Sequence, residues 1–320
     1  MMRIIFLSLL LPFDWRPPTL AQGTSFDPGL PSLVQVKSLD AGLSALAQDK
    51  PDGEIKEVRN LRYCEGAGAD EKKHLLDLYL PKGDRKSPVI VWIHGGAWMH
   101  GDRAIYGMLG RRFAAQGIGF AAISYRLSPA VKHPEHVKDC ARAFAWVHGH
   151  VVEHGGDPER LFVSGQSAGG HLSALLALDP KYLDDLKVPR GAIKGAIPMS
   201  GVYVIPALGE NAPGPLKIFP EAFGSDPETC RAASPVTHVK GCTVPMLVLT
   251  ETNDTFKVRV SMELLKAAME KEGVKGVEFA DAEGRDHISI VLRLMGAEDP
   301  VRSKMVEFVR ARCKELDSKK

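Results

Sequence analysis

The sequence predicts an α/β fold: a mostly parallel central sheet with helices on both faces and at most a small cap. Three observations carry this. Apolar runs such as Val89–Ile93 and Leu161–Val163 are unbroken, as expected of strands buried on both faces. Segments with helical apolar spacing alternate with them along most of the chain. A serine between glycines, in Gly165-Gln166-Ser167-Ala168-Gly169, joins one such strand to one such helix.

Taken in order, the elements begin with strands near Val58–Tyr63 and His74–Leu80. Pro81 stops the second, because proline cannot donate to a ladder. The Val89–Ile93 strand follows, then a helix over Ala104–Gln116 closed by Gly117, then a strand over Phe120–Tyr125. Val137, Ala141, Phe144 and Val151 share one face of a helix expected from Glu135 to Val152. Next come the Leu161–Gly165 strand and a helix from Ser167, with Leu172, Leu175 and Leu176 at helical spacing. A strand over Ala192–Met199 precedes a mixed segment, 201–241. Its Pro206, Pro213, Pro215 and Pro220 argue against long helices, so it is the one cap candidate. Pro245–Thr250 (strand), Val258–Glu272 (helix, ended by Gly273), Val277–Ala280 (strand) and Val301–Leu316 (helix) complete the chain. One catalytic domain over 53–318 accounts for all of them.

The N-terminus reads differently. Met1-Met2-Arg3, the apolar Ile4–Leu11 stretch and Thr19-Leu20-Ala21 resemble a secretory signal peptide over 1–21, with an extension over 22–52. The expected location is secreted or periplasmic if this leader is cleaved, and otherwise cytoplasmic. Apolar content of 44% and charge of 25% are ordinary for a globular protein. A net charge of +2 gives no electrostatic case for nucleic acid. No apolar run is long enough for stable membrane insertion. Among five cysteines, Cys140 and Cys313 read as small core residues, and Cys230 and Cys242 are a candidate disulfide pair. Without a C-x-x-C, nothing supports a metal or cofactor.

Chance would give roughly 0.2 G-x-S-x-G patterns in a chain of this glycine content. Flanked by strand and helix, the motif makes Ser167 a candidate nucleophile on a strained turn at a helix N-terminus. A serine hydroxyl needs a base, an acid to orient the base, and donors for the oxyanion. The donors fall in His94-Gly95-Gly96-Ala97-Trp98, directly after a buried strand, and at Ala168. Gly95, Gly96 and Ala97 are open alternatives there, and Trp98 is a candidate pocket wall. Asp254, four residues past a strand, is the candidate acid, with Glu251 its nearest rival and Asp226 a weaker one. His287, between the last strand and the closing helix, is the candidate base. Asp286 is too close in sequence to turn back onto it. The order Ser167, Asp254, His287 suits this architecture.

Other histidines read as structural. His171 packs one turn after Ser167, His94 braces the glycine loop, and His133 precedes a helix. His150 and His154, with His148 nearby, form a solvated face rather than a metal pair.

These motifs resemble the α/β-hydrolase esterases. The H-G-G-x-W loop at His94–Trp98 and the S-A-G-x-H-L elbow at Ser167–Leu172 are similar to two branches. One is the small bacterial acyl-esterase and feruloyl-esterase-like group, and the other is the kynurenine-formamidase-like group. Leu76–Pro81, Ser124–Pro129 and Gly155–Pro158 look familial too. The resemblance covers roughly 55–312 and implies a Ser-Asp-His triad acting on a small-molecule ester or related acyl bond. A serine carboxylesterase for short acyl or aryl esters is the first expectation. An arylformamidase with the same triad is the second, and a non-catalytic binding protein on the same scaffold is the third. Two residues depart from the pattern: Gln166, where His, Asp or Glu is usual, and Ala97, where many members carry glycine.

Overall fold

A computed structural model describes residues 54–319, apart from 67, 84–85 and 255–256. The expected leader and extension lie outside the described residues. In chain order the main elements are β1 (Ile55–Arg62), β2 (Leu75–Pro81), β3 (Ser87–Ile93), α1 (Gly107–Ala115) and β4 (Gly119–Ile123). They continue with α2 (Glu135–His154), β5 (Gly156–Gln166), α3 (Ala168–Leu178) and β6 (Ile193–Met199). Two short helices, α4 (Ile218–Phe223) and α5 (Pro227–Ala233), precede β7 (Met246–Asn253), α6 (Val258–Lys271), β8 (Val277–Asp286) and α7 (Pro300–Asp317).

The sheet runs β1-β2-β4-β3-β5-β6-β7-β8. β2 is antiparallel to both β1 and β4, and every pair beyond is parallel. Side chains alternate across it. Val89, Val91 and Ile93 enter the core that also holds Phe144, Leu172 and Leu265, on the side covered by α2, α3 and α6. Ile90 and Trp92 enter the core of the other face with Phe113 and Met305, covered by α1 and α7. The three-layer α/β-hydrolase architecture is therefore present, and strand order reverses between β3 and β5. The connections that leave β3 and β5 run to opposite faces of the sheet there, to α1 and to α3, an arrangement that in open α/β sheets places ligand sites at the carboxyl ends of the strands.

Two departures from the sequence expectations concern the site. β7 extends past Thr250 to Asn253, which puts Glu251 within the strand. β8 extends past Ala280 to Asp286, pairing along β7 as far as Asn253. Residues 201–241 fold, as their prolines predict, into short helical pieces, of which the Pro235–His238 turn packs against α3 and α6. All five cysteines are free. The Cys230 thiol faces the Gly224 carbonyl and the Cys242 thiol faces the Val244 carbonyl, so the candidate disulfide is not formed. Among the described residues no helix is long and apolar enough to cross a membrane.

Candidate active site

Ser167 follows β5 with φ 59° and ψ −118°, at the N-cap position of α3. This conformation is disfavoured for an L-residue, and the surroundings impose it. A Cβ on Gly165 would lie 2.5 Å from the Ile93 carbonyl oxygen, and one on Gly169 would lie 2.0 Å from the same atom. The elbow and the end of β3 therefore touch backbone to backbone. Only glycine fits two positions before and two after the serine. The Ser167 N–H donates to the Met199 carbonyl at 2.9 Å, which pins the turn to the end of β6. Ala168 is the first residue of α3, so its N–H has no partner within the helix.

The oxyanion-loop candidate follows β3, whose Ile93 pairs with Gly165. Gly96, Ala97 and Trp98 all have positive φ (116°, 53° and 60°), a tight turn closed by Met99 and His100 N–H groups on the Gly96 carbonyl. His94 braces it: the ring stacks on Tyr125, and Nδ1 lies 2.7 Å from the Gly95 carbonyl oxygen. Burial lowers the His94 pKa to about 4, so the ring is neutral. Burial raises the Tyr106 pKa, and the Gly95 N–H, directed at that hydroxyl, offsets part of the rise. Of the three open alternatives, Gly95 is the one engaged with Tyr106, and Gly96 and Ala97 remain the candidate donors in this loop.

Trp98, the candidate pocket wall, is buried at 1% exposure. Its indole N–H donates to His171 Nδ1 at 3.1 Å, and its ring packs edge-on to Phe223 at 4.8 Å. Indole N–H can only donate, so His171 Nδ1 accepts, and Nε2–H donates to the Ala233 carbonyl at 2.8 Å. This chain ties the His94–Trp98 loop through α3 to the 201–241 segment. His171 is structural, as expected, and burial lowers its pKa to about 4. His150 stacks on Trp146 and lies 2.9 Å from that residue's carbonyl oxygen, again as a structural side chain.

The largest correction concerns the acid. His287 Nδ1 lies 2.8 Å from Glu251 Oε1, and both groups are buried. Asp254 does not meet His287. Its carboxylate accepts the N–H groups of Val258 (2.8 Å) and Arg259 (3.1 Å), the first two residues of α6. Arg259 in turn donates to the Glu251 carbonyl at 2.9 Å. The error lay in the end of β7: hydropathy fades after Thr250, yet the ladder carries Glu251 to the carboxyl edge, where His287 arrives from β8. Asp226 caps α5 through the Thr229 N–H, and Asp286 accepts from Ile288 and Ser289.

The second Glu251 oxygen accepts from the Ser200 hydroxyl. Burial pushes the Glu251 pKa up, but hydrogen bonds from His287 and Ser200 outweigh it, and the net shift is downward. Ser200 was not singled out from sequence. It follows β6 with φ 48°, held by its N–H on the Leu249 carbonyl at 2.8 Å. The Met199-Ser200-Gly201 turn at a strand end was the available signal.

The strand ends thus present, in sheet order, the Gly96–Ala97 turn, Ser167, Ser200, Glu251 and His287. The BD-FAE family model matches residues 76–268, more than half of the chain. The chain belongs to the BD-FAE family. It is 37% identical over 179 residues to the probable carboxylic ester hydrolase LipM of Mycobacterium tuberculosis, covering 53% of this chain and 42% of that one. Esterase LipQ of the same organism is 31% identical over 234 residues, covering 69% of this chain and 55% of the relative. A probable isoprenylcysteine alpha-carbonyl methylesterase of Oryza sativa is 29% identical over 262 residues, covering 76% and 62%. This BD-FAE chain spans about half the length of the first two relatives. Among solved structures, esterase B of Lactobacillus rhamnosis superposes with a TM-score of 0.69 at 22% identity, covering 89% of this chain and 96% of that one. A Pyrobaculum calidifontis esterase gives 0.66 at 21%, covering 89% and 93%. At that identity both speak to the fold, an α/β-hydrolase fold.

Proposed function

We propose that the protein is a serine carboxylesterase that hydrolyses short-chain acyl or aryl esters through an acyl-enzyme. The observation that carries this reading is the buried His287–Glu251 contact at 2.8 Å, at the same sheet edge as the strained Ser167. Glu251 holds a proton on His287 Nδ1, which leaves Nε2 as the base for the Ser167 hydroxyl. Ser167 attacks the ester carbonyl. The oxyanion is stabilised by the N–H groups of Gly96, Ala97 and Ala168, each preorganised donor contributing about 3 kcal/mol. His287 passes the serine's proton to the departing alcohol and then activates water to release the acid.

The relatives' names favour an ester over the formamide alternative, and the retained serine, histidine and carboxylate speak against a non-catalytic scaffold. Parallel assays test this. Short p-nitrophenyl esters should be hydrolysed far faster than N-formylkynurenine, and Ser167→Ala should abolish the activity. Preferential hydrolysis of the formamide would move the assignment to an arylformamidase.

A further inference from the structure

We propose that Gln166, the unusual residue before the nucleophile, is a positioning residue that holds the base loop to the elbow. The proposal rests on the triad reading above. Gln166 is the last residue of β5 and is 5% exposed. Its Nε2 donates to the His287 backbone carbonyl at 2.8 Å in a buried setting. The other side of the same amide lies against the β3 loop, where a Cβ on Gly95 would fall 2.8 Å from Gln166 Oε1. One side chain therefore spans from the oxyanion loop to the residue that carries the base. β6 and β7 separate β5 from β8 in the sheet, so ladder bonds alone do not link these loops directly.

The chemistry explains why the residue is neutral. A backbone carbonyl only accepts, so the partner must donate, and the amide orientation follows from that. A carboxylate at 166 would set oxygen against oxygen in a buried space and add a negative charge beside His287. Methionine would fill the same volume and donate nothing. With Nδ1 fixed by Glu251 and its own carbonyl fixed by Gln166, His287 is held from both the ring and the main chain. The tether thus limits the positions that Nε2 samples relative to Ser167.

The test compares Gln166→Met, Gln166→Glu and Ser167→Ala on a short p-nitrophenyl ester, with melting temperature measured for each. Loss of one buried hydrogen bond that orients the base should lower kcat roughly tenfold in Gln166→Met, with KM held within about twofold. In Gln166→Glu the added charge favours the imidazolium, so the acidic limb of kcat/KM should move to higher pH. A purely structural residue would lower the melting temperature and leave the kcat of folded Gln166→Met protein in place. An unchanged kcat in Gln166→Met, or an unmoved acidic limb in Gln166→Glu, overturns the proposal provided Ser167→Ala is inactive. Activity in Ser167→Ala would instead overturn the triad reading itself.

Discussion

His287 Nδ1 and Glu251 Oε1 face each other at 2.8 Å, one just past the end of β8 and the other near the end of β7. Asp254, three residues on, spends both carboxylate oxygens on the start of α6. The two carboxylates should therefore separate cleanly on substitution. Glu251→Gln should lower kcat by about 10⁴, as expected when the base loses the group that sets its tautomer. Asp254→Asn should keep kcat within about threefold and cost stability on the order of 1 kcal/mol, as a weakened helix start does. Steady-state kinetics and urea melts of the two variants check this, and the reverse pattern would return the role to Asp254.

Ser200 supplies the second hydrogen bond to Glu251. In Ser200→Ala, burial acts on the carboxylate with one opposing donor fewer, so its pKa rises. The ionised form is the useful one. Activity should therefore disappear at a higher pH on the acidic side than in the parent, with kcat near neutrality lowered by roughly tenfold. A pH–rate profile reads both effects, and a coincident acidic limb would leave Ser200 without this role.

Burial lowers the pKa of His94, His136 and His171 to about 4. A base whose folded pKa lies below its unfolded value of about 6.5 takes up protons first in the unfolded chain. Stability is then fully present above about pH 6.5 and falls as pH drops toward 4, by on the order of 3 kcal/mol per histidine at the low end. Urea midpoints at pH 7 and pH 5 should differ accordingly. A flat midpoint over that range would mean that these rings are not held neutral.

The Trp98–His171 hydrogen bond predicts non-additive stability effects. Trp98→Phe keeps an aromatic ring and leaves His171 Nδ1 without its donor, at a cost of about 1–3 kcal/mol. His171→Leu removes the acceptor. The double variant should be less destabilised than the sum of the two by on the order of 1 kcal/mol. Strict additivity in denaturant melts would deny the coupling.

The legible features were those set by periodicity and glycine. Unbroken apolar runs announced β3 and β5, and Gly165 and Gly169 announced the elbow, because backbone contact with Ile93 excludes any larger residue there. Glu251 and the far half of β8 were harder to read. At the sheet edge, polar residues such as Asp281 and Glu283 occupy exposed strand positions, so hydropathy ends before the ladder does. Gln166, Ser200 and the Trp98 indole act through contacts with residues distant in sequence. No local spacing encodes those pairings, and only the folded arrangement of strand ends brings them together.

Covalent labelling tests most directly whether Ser167 is the nucleophile of a hydrolytic site. After treatment with a fluorophosphonate, intact-mass and peptide mapping should find one adduct, on Ser167, with labelling strongly slowed in His287→Ala. No adduct, or an adduct on another residue with Ser167 unmodified, would contradict the account.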